Sequence, residues 1–361
     1  MENLRVLQYK YDASEPITVE AYLRGMGYSH AVLSHLIRTS ILPPLKRTVA
    51  SQKSDASSTA DHDADLMQNF DQDCFPGEYK MTSAISSAGV FRNGQPVRMI
   101  DLLSKGDELT IRLLETEDSP KVEAAKLSLE IVYEDEDFAV INKPAGMPVH
   151  PSMEHYRDTV SNAFAYHMRE ECGCKHYVNR VVNRLDRDTS GLMIMAKNML
   201  SACLLDDMIA RREIHRTYLA LAEGDVQDLT EKDLPGIYCH AGYATIVRPI
   251  ARVEGSVLQR EINYEKGEYA VTHLTLLRYF PDKNVSLLQL RLGTGRTHQI
   301  RVHMSSVGHP LLGDFLYNPE DTRLPRQALH SFSLDLRHPI TGKSLHFETP
   351  LPEDIHSFLT V

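Results

Sequence analysis

The apolar residues near the N-terminus recur at helical and strand spacings, which predicts a small module of mixed structure. Thr18 and Ser29 are placed to cap two short helices, each with its apolar residues on one face. Asn93-Gly94 lies between the two strand-like runs of VFRNGQPV, which is typical of a hairpin. The alternating pattern of KGDELTIRLLE predicts a further strand. We therefore expect an α+β module over residues 1–116.

Two polar stretches break this apolar pattern. Residues 43–87 are rich in Ser, Asp and Ala and have few apolar side chains, so we expect a disordered or weakly ordered insertion in the module. Residues 117–126 are acidic, and we expect them to form a linker to the rest of the chain.

Beyond this linker, strand-like and helix-like pieces alternate to the C-terminus. Strands are predicted at GLMIMAKN, HRTYLALAEG and VSLLQLRL. A tight turn, GTGRT, leads into a helix at HQIRVHMSSVG. Another helix is predicted over 199–212, and its apolar face consists of Leu200, Cys203, Leu204 and Met208. We interpret 127–361 as one larger domain.

Composition and charge narrow the class of protein. The 361 residues are 42% hydrophobic and 24% charged, which is enough for more than one domain and excludes disorder throughout. The net charge of −10 excludes a simple polycationic nucleic-acid binder. Basic residues nevertheless outnumber acidic ones by eight to five over 172–216, and Arg291, Arg296 and Arg301 have no acidic neighbour in sequence before Asp314. These segments form either a basic cleft for a polyanion or an ordinary solvated surface.

The cysteines indicate neither a disulfide framework nor a metal site. Five cysteines are too few and too irregularly spaced for such a framework, and no apolar run reaches about 18 residues. We therefore expect a soluble cytoplasmic protein with reduced thiols. Cys172, Cys174 and His176 are neighbours, but a closed zinc site normally pairs two such groups and no second pair is evident. We expect no bound metal.

The first candidate for chemistry is the string VNRLDRDTSG. In it Asp186 lies between Arg184 and Arg187, whose positive charge favours an ionised carboxylate. The pattern fits a nucleophile or base held beside a strand. It also fits a solvated Asp–Arg turn without a chemical role.

The second candidate is the string LRLGTGRTHQIRVH. Its Gly-rich turn opens a helix, so backbone N–H groups can face an anion. Arg296, His298, Gln299 and Arg301 add side-chain donors. The GxxxxGK[ST] spacing of a nucleotide-binding loop is absent, so the string predicts phosphate binding without specifying the ligand.

These strings resemble those of the RluA-type pseudouridine synthases, which isomerise uridine within RNA. The family pattern HRLDxxTSG is matched by residues 183–191, with Asn183 in place of the usual His. The family's TGRTHQIRVH and GHPxxGD strings are matched over 292–314, and 129–152 and 326–342 resemble its entry and closing segments. The resemblance implies an α+β catalytic domain built on a mixed, largely antiparallel sheet with flanking helices. It also implies that the N-terminal module is a small RNA-binding domain like one found in a ribosomal protein.

The resemblance also implies roles for single residues. Asp186 corresponds to the catalytic aspartate, Tyr218 to the tyrosine that stacks on the target base, and Arg296 to the basic residue that pairs with the carboxylate. Asn183 cannot titrate near neutral pH, so we expect no proton transfer there. The residues expected to contact RNA are Arg184, Leu185, Leu292, His298, Gln299 and Arg301.

The implied reaction breaks the bond between ribose carbon 1′ and uracil N1, turns the base, and joins carbon 5 to the same sugar carbon. It requires a base everted from its helix and an ionised carboxylate, and it requires no cofactor. The N-terminal module favours large-subunit ribosomal RNA as substrate, with transfer RNA as the alternative. A non-catalytic RNA-binding or ribosome-assembly protein of the same fold is the other interpretation. We expect a monomer.

Overall fold

The computed structural model describes residues 3–40, 88–231, 234–240 and 242–360. The chain divides into two compact units, one over Leu4–Leu114 and a larger one that comprises Asn3 and the residues from Glu115 onward. The predicted insertion at 43–87 lies outside the described residues. In the part of the chain that is described, no helix has the length and apolar character needed to cross a membrane.

In its described residues, the smaller unit combines two short helices with two small antiparallel sheets. Its elements are β1 (Leu4–Lys10), β2 (Ile17–Thr18), α1 (Val19–Gly25), α2 (His30–Thr39), β3 (Gly89–Arg92), β4 (Gln95–Pro96), β5 (Leu102–Leu103) and β6 (Glu108–Leu114). One sheet has the order β1-β6-β3-β4, and β2 pairs with β5. The Thr18 and Ser29 hydroxyls accept backbone N–H groups at the starts of α1 and α2, and Asn93 and Gly94 both have positive φ in the hairpin. The predicted caps and hairpin are confirmed.

The larger unit contains most of the described strands. They are β7 (Glu130–Glu134), β8 (Phe138–Lys143), β9 (Arg180–Val181), β10 (Ser190–Ala196), β11 (His215–Glu223), β12 (Ile237–His240), β13 (Tyr243–Val247), β14 (Ile250–Arg252), β15 (Arg260–Ile262), β16 (Val271–Phe280), β17 (Val285–Leu292), β18 (Leu329–Arg337) and β19 (Ser344–Glu348). The helices are α3 (Val160–Tyr166), α4 (Met199–Ala210), α5 (Gln227–Glu231), α6 (Gln299–Ser306) and α7 (Glu353–Thr360). A π-helical segment, His167–Glu171, directly follows α3.

Eleven of the described strands form one sheet with the main order β12-β13-β16-β17-β11-β18-β10-β8-β7. Strand β19 pairs with β18, β9 pairs with β10, and β14 and β15 form a separate hairpin. Within the described residues, β10 and β18 run parallel and the other neighbours run antiparallel. The predicted fold class, a mixed and largely antiparallel sheet with flanking helices, is confirmed.

Strand β10 positions the candidate site, because the loop containing Asp186 leads directly into it. All seven residues of β10 are buried. Gly191 has a φ of +110°, and a Cβ there would lie 2.3 Å from the backbone oxygen of Ser331 in β18. Any side chain at this position would force the two strands apart, so the glycine permits the parallel pairing beside the Asp186 loop.

The acidic residues 117–126 belong to the larger unit and make specific contacts within it. Arg169 donates to the Asp118 carboxylate at 2.7 Å, and His176 Nδ1 lies 2.9 Å from the other carboxylate oxygen. Together with the hydrogen bonds from the backbone, these partners lower the pKa of Asp118 against the opposing effect of burial. The stretch is therefore held in place by charge pairing.

Candidate active site

Asp186 lies in the loop between β9 and β10. The Thr189 backbone N–H donates to the Asp186 carbonyl oxygen at 3.1 Å and closes a turn. The preceding residue, Leu185, is buried in the main hydrophobic core, which anchors the loop. The Asp186 side chain itself is 25% exposed, so a substrate can reach its carboxylate.

The guanidinium that contacts Asp186 belongs to Arg301 in α6. Arg301 Nη1 donates to Asp186 Oδ2 at 3.1 Å, and its Nε and Nη2 donate to the two carboxylate oxygens of Asp314 at 2.7 Å. The side chains of Arg301 and Asp314 are only 2% and 0% exposed. Burial opposes the charge on Arg301, but the hydrogen bonds and charge of Asp314 outweigh it and raise the pKa of the guanidinium. Arg301 is therefore a fixed positive charge that orients Asp186.

Arg296, which the sequence analysis paired with Asp186, makes other contacts. It is 41% exposed, forms an ion pair with Glu268, and donates to the Tyr269 carbonyl oxygen at 3.2 Å. The predicted pairing is corrected, because Arg301 occupies that position. Arg296 lies in the turn before α6, whereas Arg301 projects from a buried side of the helix. In the sequence, Arg301 lies between Ile300 and Val302 within the predicted helix, and this apolar setting was the available signal that its side chain is buried.

His298 lies beside the same carboxylate. It is the N-cap residue of α6, with a φ of 56°, and its Nε2 is 3.9 Å from Asp186 Oδ2. Its Nδ1 is 3.0 Å from the Tyr317 hydroxyl, which accepts the Arg260 backbone N–H at 3.0 Å. The hydroxyl hydrogen can then go to Nδ1, which places the imidazole proton on Nε2, facing Asp186. Burial and the positive charge of Arg301 lower the pKa of His298, although the negative charge of Asp186 opposes this shift. The ring is therefore neutral at neutral pH.

Tyr218 lies at an irregularity in β11. The pairing of β11 with β18 shifts register between Thr217 and Tyr218, and such bulges re-aim side chains near active sites. Tyr218 is 3% exposed and belongs to the same buried cluster as Leu185, and Leu292 packs against that cluster. Tyr218, Leu185 and Leu292 thus all contribute to the main hydrophobic core, and Leu185 connects this core to the Asp186 loop.

Gln299, which we expected to contact RNA, is buried and fully engaged within the protein. Its Oε1 accepts from the Thr294 hydroxyl at 2.7 Å and from the Arg296 backbone N–H at 3.0 Å. Its Nε2 donates to the Val271 carbonyl oxygen at 2.7 Å and to Thr272 Oγ1 at 3.0 Å. The side chain holds the turn before α6 and has no free group to offer RNA. Arg301, at 2% exposure, likewise has almost no surface to offer.

The residues that flank Asp186 in sequence point in different directions. Arg184 is exposed and remains available to RNA, and its charge adds to burial in lowering the pKa of His150. Arg187, which was expected to keep Asp186 ionised, pairs instead with Asp188 at 3.0 Å.

Asn183 is buried, and its Oδ1 accepts the Ile194 backbone N–H at 2.8 Å. Asn183 therefore holds the start of the Asp186 loop against β10 and is shielded from solvent.

Sequence reasoning assigned no role to Lys143, which lies at the end of β8. Its side chain is fully buried, and its Nζ donates to the carbonyl oxygens of Pro144, Met147 and Arg187 at 2.7, 2.9 and 2.7 Å. Burial lowers its pKa to about 7, although Asp188 and Asp186 oppose the shift. Lys143 joins the 144–147 turn to the Asp186 loop. The available signal was the Lys-Pro-Ala-Gly string directly after a buried strand.

Comparison with known proteins gives consistent matches to one family. Residues 137–306, which include Asp186 and Arg301, match the family model of RNA pseudouridylate synthase. The uncharacterized RNA pseudouridine synthase YhcT of Bacillus subtilis is 38% identical over 70% of this chain and 78% of its own length. The ribosomal large subunit pseudouridine synthase D of Zymomonas mobilis is also 38% identical, over 64% of this chain and 72% of its own. A solved structure, human RNA Pseudouridylate Synthase Domain Containing 1, is 28% identical, with a TM-score of 0.48 over 62% of this chain and 83% of that one.

The sequence motifs, the carboxylate–guanidinium pair and the matched relatives all indicate the same family of enzymes. YhcT aligns over more than two thirds of its own length at well above 30% identity. This confirms the activity class predicted from the sequence, and RNA is the substrate class of that family. The chain belongs to the RluA-type family of RNA pseudouridine synthases.

Proposed function

We propose that this chain converts uridine to pseudouridine in large-subunit ribosomal RNA, with Asp186 as the nucleophile and the target base everted from its helix. The observation that carries the proposal is the solvent-accessible Asp186 carboxylate, held by the buried Arg301 guanidinium. The choice of RNA is supported by relatives named ribosomal large subunit pseudouridine synthase D in Zymomonas mobilis and Haemophilus influenzae.

The geometry suits nucleophilic attack by one carboxylate oxygen. Arg301 contacts Asp186 Oδ2, and among the described residues none donates a hydrogen bond to Oδ1. Because Asp314 holds the rest of the Arg301 guanidinium, this charge cannot turn away from Asp186 as the substrate binds. Oδ1 is therefore left to face the electron-poor carbon of the substrate.

The reaction is an isomerisation within one nucleotide. The bond from carbon 1′ to N1 breaks, a bond from carbon 1′ to carbon 5 forms, carbon 5 loses a proton and N1 gains one. Atoms and charge balance without a redox partner or a second substrate. The detached uracil needs a flat surface while it turns, and we assign this role to the ring of Tyr218, which is 3% exposed and has to be uncovered as the base enters. Base–aromatic stacking of this kind contributes about 1–3 kcal/mol.

A basic cavity of about 330 Å³ adjoins the active-site helix and provides a path for the RNA backbone. Its charged lining consists of Arg252, Arg260, Lys266 and Arg296, with Glu268 as the one acidic group. The cavity is linked to the catalytic carboxylate, because the Arg260 backbone N–H bonds Tyr317, whose hydroxyl contacts His298. Phosphates that flank the everted nucleotide are the expected occupants.

The double variant Arg252→Ala/Lys266→Ala is expected to weaken RNA binding about tenfold near physiological salt. It should also reduce the slope of log affinity against log salt by about 1–2, because two phosphate contacts are lost. The single-turnover rate constant at saturating RNA should change little. Arg278→Ala is the matched control, since Arg278 stacks on Phe280 and does not line the cavity. An unchanged salt slope in the double variant would contradict this RNA path.

The target RNA is tested by mapping pseudouridines in cells with and without the gene. We expect loss of specific pseudouridines from large-subunit ribosomal RNA, restored by the wild-type chain and not by Asp186→Asn. Loss confined to transfer RNA would replace the proposed substrate. If no pseudouridine disappears while the chain still binds RNA, a non-catalytic ribosome-assembly role would take its place.

A further inference from the structure

Three side chains with metal-binding donor atoms converge far from the active site. They are Glu134 at the end of β7, His167 in the π-helical segment, and Cys172 directly after it. Asp186 precedes β10, whereas Lys197, which contacts Glu134, follows β10 at the other end. A seven-residue strand spans about 23 Å, so the two sites are distinct. We propose that Glu134, His167 and Cys172 bind a zinc ion that ties β7 to the π-helical segment.

The distances already approach those of a tetrahedral zinc site. His167 Nε2 lies 2.9 Å from Glu134 Oε2 and 3.4 Å from Cys172 Sγ, and the three donor atoms lie within 4.8 Å of one another. With zinc–ligand bonds of about 2.0–2.3 Å, neighbouring donors in a tetrahedron lie about 3.3–3.6 Å apart. The nitrogen–sulfur pair needs almost no adjustment and the nitrogen–oxygen pair must widen by about 0.4 Å, while the carboxylate–sulfur pair, which lies within 4.8 Å, has to settle at about 3.5 Å.

Neighbouring groups orient two of the donors as a zinc site requires. His167 lies between two carboxylates, with Glu171 2.6 Å from Nδ1 and Glu134 2.9 Å from Nε2, so a zinc ion would displace the Nε2 proton while Glu171 keeps the proton on Nδ1. Lys197 donates to Glu134 Oε1 at 2.7 Å and leaves Oε2 facing His167. A carboxylate behind a histidine ligand is a regular feature of protein zinc sites.

The π-helical segment explains how His167 and Cys172 meet. The Cys172 backbone N–H donates to the His167 carbonyl oxygen at 2.9 Å, which is the i→i+5 bond of a π-turn. In an α-helix, residues five apart project about 140° from each other, so the two side chains would diverge. Single π-turns are rare and frequently occur at functional sites.

Charge and donor type favour zinc over other common ions. A divalent ion and the Lys197 ammonium together balance the Cys172 thiolate and the carboxylates of Glu134 and Glu171. A nitrogen, sulfur and oxygen set suits zinc, whereas magnesium prefers oxygen alone. The three side chains are only partly buried, so water can take the fourth position. The sequence analysis expected no metal because Cys172 and Cys174 lack a second pair, but the fold supplies Glu134 and His167 in its place.

The test measures zinc binding by the full-length protein, independently of activity. After removal of metal with a chelator and addition of zinc, we expect one zinc per chain by elemental analysis and a raised Tm. Cys172→Ser and His167→Gln should each weaken zinc affinity at least tenfold and remove the rise in Tm. Cys203→Ser and His176→Gln are the matched controls and should behave like the wild type, since neither residue belongs to the cluster. Cobalt bound in place of zinc should show a thiolate-to-metal absorption band that Cys172→Ser lacks.

Three results would overturn the zinc site: no zinc retained by the wild type, equal retention by both cluster variants, or equal stabilisation by magnesium. Circular dichroism of the metal-free variants separates loss of the site from loss of the fold. If Cys172→Ser fails to fold, His167→Gln and the cobalt spectrum of the wild type still decide the question.

Discussion

Asp186→Asn is expected to abolish pseudouridine formation while RNA affinity stays within about twofold of the wild type. The amide has nearly the shape of the carboxylate and can still accept the Arg301 hydrogen bond, but it has no charge and is not a nucleophile. Loss of a nucleophile typically lowers the rate by about 10⁴-fold or more. Release of the hydrogen from carbon 5 of uridine in a single turnover measures the rate, and fluorescence anisotropy with labelled RNA measures binding.

Asp188→Asn is the control for this variant. Asp188 lies in the same loop, but its carboxylate pairs with Arg187 and does not contact Arg301. We expect its activity to stay within a few-fold of the wild type. Residual activity of Asp186→Asn near the wild-type rate would remove the proposed nucleophile. A large loss of RNA affinity in that variant would instead indicate a binding role for Asp186.

Arg301→Ala is expected to cause the largest loss of stability among the site variants, about 3–5 kcal/mol in the free energy of unfolding. Removing the guanidinium leaves the fully buried Asp314 carboxylate without its charged partner, which is costly because solvent cannot reach the carboxylate. At about 2–4 °C per kcal/mol for a unit of this size, Tm should fall by roughly 10 °C. Urea unfolding and thermal melting measure the change, and activity should fall with the loss of the charge beside Asp186.

Two further variants separate stability from chemistry at this pair. Arg301→Lys keeps the charge but cannot contact Asp314 and Asp186 in the same geometry, so we expect partial stability with a reduced rate. Arg296→Ala removes an exposed ion pair with Glu268 and a hydrogen bond to the Tyr269 carbonyl oxygen, and the free energy of unfolding should change by less than about 1 kcal/mol. If Arg296→Ala proved more destabilising than Arg301→Ala, the structural assignment of the two arginines would be contradicted.

Features set by neighbouring residues could be predicted with good accuracy. Thr18, Ser29 and the Asn93-Gly94 turn depend on hydrogen bonds and φ angles within a few residues, and all were confirmed. The helix at 199–212 was also recognised, and the structure ends it at Ala210. Its buried face includes Leu205 where Leu204 was predicted, because the neighbouring strands and not the periodicity alone decide which side faces the core.

Contacts between distant residues could not be predicted in this way. Asp186 and Arg301 are 115 residues apart, and nothing near either one indicates that they meet. Glu134 lies 33 residues from His167, and the convergence of these two with Cys172 depends on how β7 and the π-helical segment pack. Gly191 also depends on a distant contact. Only glycine fits at this position, because the backbone of Ser331 in β18 approaches it too closely for a side chain.

The order of motifs along the chain was enough to identify the family and the fold class and to single out Asp186 as the proposed nucleophile, since these depend on residue types in short strings. Which arginine holds Asp186 and which polar side chains are closed to RNA depended on the packed sheet and α6, and the proposed zinc site depended on how β7 packs against the π-helical segment. The physical reason is that burial and charge pairing are properties of three-dimensional neighbourhoods. Arg296 and Arg301 are equivalent as letters in one motif, but Arg301 is buried between the carboxylates of Asp314 and Asp186, whereas Arg296 pairs with Glu268 in an exposed setting.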